Sequence, residues 1–263
     1  MEKNMHLCEN KFMEKRAIII GATSGIGKQL AINLLQDAWV VGVAGRREAE
    51  LLALRENFGA EKVKIAVMDV TQPSAGDKLD ELIASMGHPD LLLYASGIGK
   101  QNPSLDENIE IDTVKTNCEG MVRIVDKFLQ YVRDNASYYA VHKAQVAVIS
   151  SVAGTKGLGA APAYSATKKM QSTYLVALSQ FCRMQKIPAD FTDIRPGFVA
   201  TAILNPNKHY PMLMTVEKAA DIIVRGLRRR RRVLIFDWRF RLLVAFWNLI
   251  PTCLWERLTM FKN

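Results

Sequence analysis

A phenol and an ammonium group stand four residues apart in Tyr164-Ser-Ala-Thr-Lys168. That spacing places them one turn apart on the same helix face. A phenol titrates ordinarily near pH ~10, too high for easy proton exchange at neutrality, and a neighbouring cation favours its ionised form. The same spacing recurs in Tyr139-Ala-Val-His-Lys143, so chain context decides between the two. Tyr164 follows an apolar run ending Val148-Ile149-Ser150-Ser151, with Ser151 13 residues upstream. A loop leaving that strand brings a hydroxyl to the phenol at the carboxyl edge of a parallel sheet, where open α/β sheets bind ligands. Ser150 is the rival of Ser151, and the spacing favours Ser151. Tyr139 precedes the strand, so it falls at the opposite edge and is expected on the surface.

A second constellation is Gly21-Ala22-Thr23-Ser24-Gly25-Ile26-Gly27. Glycines between a strand and a helix permit a tight turn and let backbone N–H groups approach a pyrophosphate at the helix N-terminus. The spacing is G-x-x-x-G-x-G, and glycines at such a turn can also serve packing alone. The next strand ends Ala44-Gly45-Arg46-Arg47, with no carboxylate before Glu48. A carboxylate there suits a ribose 2′-hydroxyl, whereas guanidinium groups suit a 2′-phosphate. Two cations opposing a helix macrodipole also call for an anion. The pattern favours NADP(H).

These groups need a scaffold, and the hydropathy pattern provides one. Short, almost non-alternating apolar runs at 16–21, 39–44, 62–67, 90–95, 144–150, 189–194 and 233–236 read as strands buried on both faces. Helical patterns fall near 25–37, 47–57, 74–86, 105–134, 162–185 and 216–230. The alternation predicts an α/β domain with a parallel sheet of about seven strands and crossover helices on both faces. Residues 13–236 form this domain. Residues 1–12 read as an extension that frays, since Met13-Glu14-Lys15-Arg16 resembles a second start, and 237–263 form a C-terminal appendage.

In combination the motifs resemble the short-chain dehydrogenase/reductase superfamily. The likeness runs from Gly21 to Thr201: the glycine turn, Asp69-Val70, Tyr94-Ala95-Ser96-Gly97, Asn117, Ile149 to Gly154, Tyr164 with Lys168, and Arg195-Pro196-Gly197-Phe198-Val199-Ala200-Thr201. The resemblance implies a Rossmann-like doubly wound sheet and hydride transfer between NADP(H) and a carbonyl/alcohol pair. It makes Tyr164 the acid or base, Lys168 the holder of the nicotinamide ribose, Ser151 the partner of the reacting oxygen, and Asn117 part of a water-borne proton relay. By the same likeness Asp69 and Val70 contact adenine, Ala95, Ser96 and Gly97 lie beneath the ribose, and Pro196, Gly197, Val199 and Thr201 clasp the nicotinamide amide and pyrophosphate. Pairing into a homodimer or homotetramer through the helices bearing Asn117 and Tyr164 is also implied. Two positions depart from the family pattern: Ile20 stands for Thr, and Tyr94-Ala-Ser-Gly97 stands for Asn-Asn-Ala-Gly. Both concern structural support on the adenine side. A protein that binds the cofactor without turnover, or a dehydratase or epimerase on the same fold, are the competing readings.

Composition adds boundaries. With 49% hydrophobic and 23% charged residues, a 263-residue chain has material for one buried core. Its four Cys and four His are scattered, with no spacing for a disulfide framework or a metal centre. The formal charge of +9 is local: Arg225 to Arg241 holds eight Arg against one Asp. Arginine interleaved with Trp and Phe up to residue 257 admits three readings. These are an exposed helix face at Arg228 to Arg232 followed by a helix packed on the body or a subunit partner, a peripheral membrane segment, and, least favoured, nucleic-acid binding. The apolar run Leu242 to Trp255 is too short to span a bilayer, so a cytoplasmic protein with optional membrane contact is expected. Residues 202–215 make only a short lid, which Trp238, Phe240, Phe246, Trp247 and Trp255 could complete. Met212 and Met214 are expected to cover apolar ground, and the substrate is expected to be small and largely apolar.

Overall fold

The computed structural model describes residues 14–204 and 209–258; the expected extension at 1–12 and Pro206 of the lid lie outside the described residues. Seven strands, β1 (Arg16–Ile20), β2 (Val40–Gly45), β3 (Val63–Val67), β4 (Leu91–Tyr94), β5 (Ala144–Ile149), β6 (Ala189–Ile194) and β7 (Val233–Leu234), form one parallel sheet in the order β3-β2-β1-β4-β5-β6-β7. Crossovers run through α1 (Gly25–Gln36), α2 (Glu48–Phe58), α3 (Ala75–Met86), α4 (Glu107–Val114), α5 (Gly120–Asp134), α6 (Pro162–Met184) and α7 (Val216–Arg228). Strand order reverses between β1 and β4, the switch point at which doubly wound sheets open a crevice. Ile20 lies in register with both Ala44 and Tyr94, so the glycine turn after β1 and the Ala95–Gly97 loop after β4 leave the sheet at one level.

Burial on both faces explains the continuous apolar strands. Ile18 and Ile20 pack beneath α3 and α5 with Leu79, Met121 and Phe128. Ala17 and Ile19 point the other way, onto Leu30, Leu34 and Ile223 of α1 and α7. Alternate residues thus serve two cores, and each fully buried aliphatic side chain contributes about 1.5–3 kcal/mol.

Three expectations are corrected. The helix at 105–134 is divided: between α4 and α5 lies a π-helical turn, Lys115–Glu119. Tyr139 does lie at the edge opposite the site, but it is fully buried, because its hydroxyl donates to the Pro89 carbonyl at 3.0 Å and its ring stands edge-on to His88. A satisfied hydroxyl lets a tyrosine fill a core. The arginine run does not form a helix face, since α7 ends at Arg228 and Arg230 takes a positive φ of 46°. Beyond the helix end the run splits: Arg228 pairs with Asp37 and Arg230 with Asp190, while Arg232 donates to the Leu175 carbonyl.

The C-terminal segment forms α8 (Trp238–Leu249) and α9 (Thr252–Trp255). Phe240 and Val244 pack on Val152 of the loop after β5. Lys156 donates to the Ile250 carbonyl at 2.8 Å, and the Trp255 indole donates to the Gly157 carbonyl at 2.7 Å. Of the aromatics expected to complete the mouth, Phe240 and Trp255 turn inward and Trp247 packs on Trp255, whereas Trp238 and Phe246 face outward. Helical periodicity separates the two groups. Among the described residues no helix is long and apolar enough to cross a membrane.

Candidate active site

The sequence builds the site from two adjacent elements. Pro162 opens α6, a position where its missing N–H costs nothing, and Tyr164 and Lys168 follow one turn apart. Across from them, Ser151 leaves β5 in extended backbone (φ −171°) and accepts from the Ala153 amide at 3.0 Å. Ser150 points elsewhere: its hydroxyl donates to the buried Asp193 carboxylate and to the Ile194 carbonyl. Ser151 is therefore the serine facing the tyrosine. Burial pushes the Tyr164 phenol above its ordinary pKa, and the hydrogen bond with Ser151 works in the opposite sense. Gly99 gives the ring its room, since a Cβ there would sit 2.3 Å from Tyr164 Cδ2.

Lys168 is buried, at 4% exposure, and its Nζ lies 5.7 Å from the Tyr164 ring centroid. It donates to the Ile149 carbonyl at 2.9 Å and to Gln171 Oε1 at 3.1 Å. Burial lowers its pKa to about 8, against weaker opposing contributions from Cys118 and Asp193. Asn117, in the π-helical turn, is fully buried, and its side chain clamps two segments. Its Oδ1 accepts from the Ile98 amide at 2.9 Å, while Nδ2 donates to the Ile98 carbonyl at 2.8 Å and to Thr167 Oγ1 at 3.0 Å. A π-turn inside an α-helix often marks a functional position. Tyr94, the residue departing from the family pattern, supports this one by donating to the Thr116 carbonyl at 2.6 Å.

The cofactor cradle can be tested on its glycines. Gly21 has φ +90° and Gly25 φ +52°. A Cβ on Gly21 would meet Ser96 N at 2.6 Å, and one on Gly27 would meet the Gly21 carbonyl oxygen at 2.2 Å. Only hydrogen fits at either position, and α1 opens at Gly25, directly after the turn that follows β1. Ser24 precedes α1 without capping it by its side chain, and Ala95 donates to the Ile20 carbonyl at 2.8 Å. Gly25 meets the Thr201 methyl at a Cβ distance of 3.2 Å, which brings the segment after Pro196-Gly197 onto the turn. Gly97 faces Lys168 Nζ and Asn117 Oδ1. The chemistry of these donors fits an anionic dinucleotide.

The two arginines separate. Arg47 donates through Nη2 at 2.9 Å and Nε at 3.2 Å to Thr23 Oγ1, so both are engaged with each other. Arg46 is exposed and adjoins Asp69. Burial acts to raise the Asp69 pKa, but bonds from the Thr71 amide and hydroxyl, with the Arg46 charge, leave it lowered. Val70 and Val199 are core side chains: Val70 abuts Gly120 and lends its carbonyl to Arg123 at 2.7 Å, and Val199 bridges Met214. Only their backbones could meet a ligand. Ile26 packs partly against the core beside α1. The Pro196 carbonyl accepts from the Val152 amide at 3.1 Å.

The profile of the short chain dehydrogenase family matches residues 15–210, three-quarters of the chain. The chain belongs to the short-chain dehydrogenase family of oxidoreductases. It is 28% identical over 248 residues to an uncharacterised oxidoreductase of Myxococcus xanthus, covering 92% of this chain and 95% of that protein. It is 24% identical over 241 residues to the dehydrogenase/reductase SDR family member 7B of Xenopus tropicalis, covering 83% and 75%. Among solved structures, ElxO with NADP bound superposes with a TM-score of 0.74 at 20% identity, covering 87% of this chain and 99% of that one. A 3-ketoacyl-ACP reductase of Sinorhizobium meliloti gives 0.73 at 22% identity, with the same coverage.

In this short-chain dehydrogenase three participants escape the motif-based reading. Thr167 sits within the Tyr164–Lys168 motif and Gly99 two residues beyond Tyr94–Gly97, and neither carries a chemical signal. Gln171 follows Lys168 by less than one turn, and its Nε2 donates to the Asn117 carbonyl at 2.8 Å. Phe240, one of the aromatics expected to complete the mouth, lies against Gly197, 2.1 Å from where a Cβ would stand. Thr167 and Gln171 could be suspected from helical spacing, Gly99 only from the fold.

Proposed function

We propose that this short-chain dehydrogenase is an NADP(H)-dependent oxidoreductase that interconverts a carbonyl and an alcohol on a largely apolar substrate. The convergence of Tyr164, Ser151 and Lys168 beside the glycine turn carries this reading. The NADP bound to the similarly folded ElxO supports the choice of cofactor. The chemistry that NADP(H) supplies when bound is hydride transfer.

Residues of the chain do the rest. Amides of the glycine turn would hold the pyrophosphate, Arg46 would meet the 2′-phosphate, and Lys168 would hold ribose hydroxyls. Tyr164 gives its phenolic proton to the carbonyl oxygen. A pKa raised by burial keeps that proton in place until it is needed, which supports reduction as the working direction. Ser151 donates to the same oxygen and stabilises the negative charge that develops there. Val152, Phe198, Met212 and Phe240 form an apolar cluster next to Ser151 and Gly197, and they suit a lipid-like ketone such as a 3-keto acyl chain. Exposed Val176, Phe181 and Met184 on α6 support homo-oligomer pairing through that helix.

A ketone panel followed by NADPH absorbance tests the proposal. Apolar ketones should turn over, with NADPH preferred to NADH. Turnover confined to small polar carbonyls removes the lipid-like substrate, and retained NADPH binding with no turnover of any ketone makes the protein a cofactor-binding scaffold.

A further inference from the structure

Helix α8 carries apolar side chains on two opposite faces. Phe240 and Val244 enter the body. Trp238, Leu242, Phe246 and Leu249 recur at i, i+4, i+8 and i+11, on the face turned away, and are 68%, 61%, 62% and 80% exposed. An ordinary surface helix carries polar residues on such a face. Leu254 on α9 is also exposed, at 53%.

Beside this stripe Arg225, Arg229, Arg231 and Arg241 line a cleft of about 490 Å³ floored by Ile222 and Leu234. Among the described residues none of these four pairs with a carboxylate, whereas Arg228 and Arg230 do. Arg241 stands on α8 itself and lines that cleft, so the cleft borders the helix that carries the apolar stripe.

We propose that this surface docks on an anionic lipid bilayer, with α8 lying in the interfacial plane, its stripe toward the acyl chains and lipid phosphates in the arginine cleft. Charge complementarity selects the occupant. Unpaired arginines concentrated beside Trp, Phe and Leu match an anionic interface. A second copy docking by the same face would bring four like charges against four. Nucleic acid would satisfy the arginines but leave Leu242 and Leu249 without partners. The inference stands apart from the proposed activity, because it concerns a face that the catalytic residues do not touch.

Co-sedimentation of the full chain with vesicles tests it. Phosphatidylcholine–phosphatidylglycerol vesicles should pellet the protein, and phosphatidylcholine alone should do so weakly. Arg229→Gln and Arg231→Gln should each lower partitioning about fivefold, and Leu242→Glu with Phe246→Glu should abolish it while leaving the melting curve unchanged. In the unsubstituted chain, anionic vesicles should shift tryptophan emission to the blue, and Trp238→Phe should reduce the shift. Equal pelleting with and without anionic vesicles overturns the proposal. So does undiminished pelleting of the arginine variants, or a lipid-free oligomer that dissociates on Leu242→Glu, which would give the face to a second copy.

Discussion

Gln171 Nε2 donates to the backbone carbonyl of Asn117 across 2.8 Å while its Oε1 accepts from Lys168 Nζ at 3.1 Å. One amide thus ties the π-helical turn to the buried ammonium. Gln171→Leu removes both bonds and strands two buried polar groups, at a cost of about 1–3 kcal/mol each. The variant should melt earlier and lose turnover through kcat, since the carbonyl and the ammonium are no longer held in place. Gln171→Glu should instead raise the pH at which Lys168 titrates, a change that a purely packing role would not produce.

The Lys168 value also makes a stability prediction. Its folded pKa of about 8 lies below the ordinary 10.5, so folding disfavours the charged form. The penalty, about 3 kcal/mol, is fully present below pH 8 and is relieved as pH rises from 8 toward 10.5. Stability of Lys168→Met relative to the parent should therefore fall across that window in pH-resolved chemical denaturation. A constant difference would contradict a neutralised lysine.

Tyr164→Phe deletes the proton donor and little else. Turnover should fall by about 10²–10⁴-fold, with NADPH affinity by fluorescence titration unchanged. Ser151→Ala should reduce kcat less than Tyr164→Phe, because the variant keeps the proton donor.

Gly99→Ala places a methyl inside the Tyr164 ring, with a built contact of 2.3 Å. The ring must move, and a 1 Å displacement of a reacting group can cost about 10²-fold. Steady-state kinetics should show kcat lowered. Ala at Gly159, whose Cβ meets nothing within 4 Å, provides the silent control.

Arg46 and Arg47 should respond differently. Arg46→Ala should weaken NADPH binding by about tenfold or more with NADH binding unchanged, as loss of a charge-assisted phosphate contact requires. Arg47→Ala should act on both cofactors alike, because it releases Thr23 at the glycine turn. Comparing the two dissociation constants for each variant decides the assignment.

The sheet was readable because strands buried on both faces leave uninterrupted apolar runs, and the topology follows from their alternation with helices. Tyr164, Lys168 and Ser151 were readable because β5 and α6 are consecutive elements, so nearness in sequence becomes nearness at the sheet edge. The π-turn around Asn117 was not. One extra residue in a helical hydrogen-bond ladder leaves apolar spacing almost unchanged, and Tyr94, which bonds the Thr116 carbonyl of the turn, stands more than twenty residues away. Tyr139 misled because a tyrosine near a polar loop looks exposed until a carbonyl is found for its hydroxyl. The arginine run misled because arginine favours helices, whereas Arg230 adopts φ +46°. Gln171 owes its place to contacts between elements, on which local pattern is silent.

Phe240 resting on Gly197 has a consequence for biosynthesis. A ribosome makes the sheet, the tyrosine and the lysine before it makes Phe240. Until α8 has left the exit tunnel, the nascent protein carries these groups with Gly197 and Val152 uncovered. Emergence of α8 is then the event that covers them, and a product stalled before it would be folded in its sheet yet bare beside Ser151.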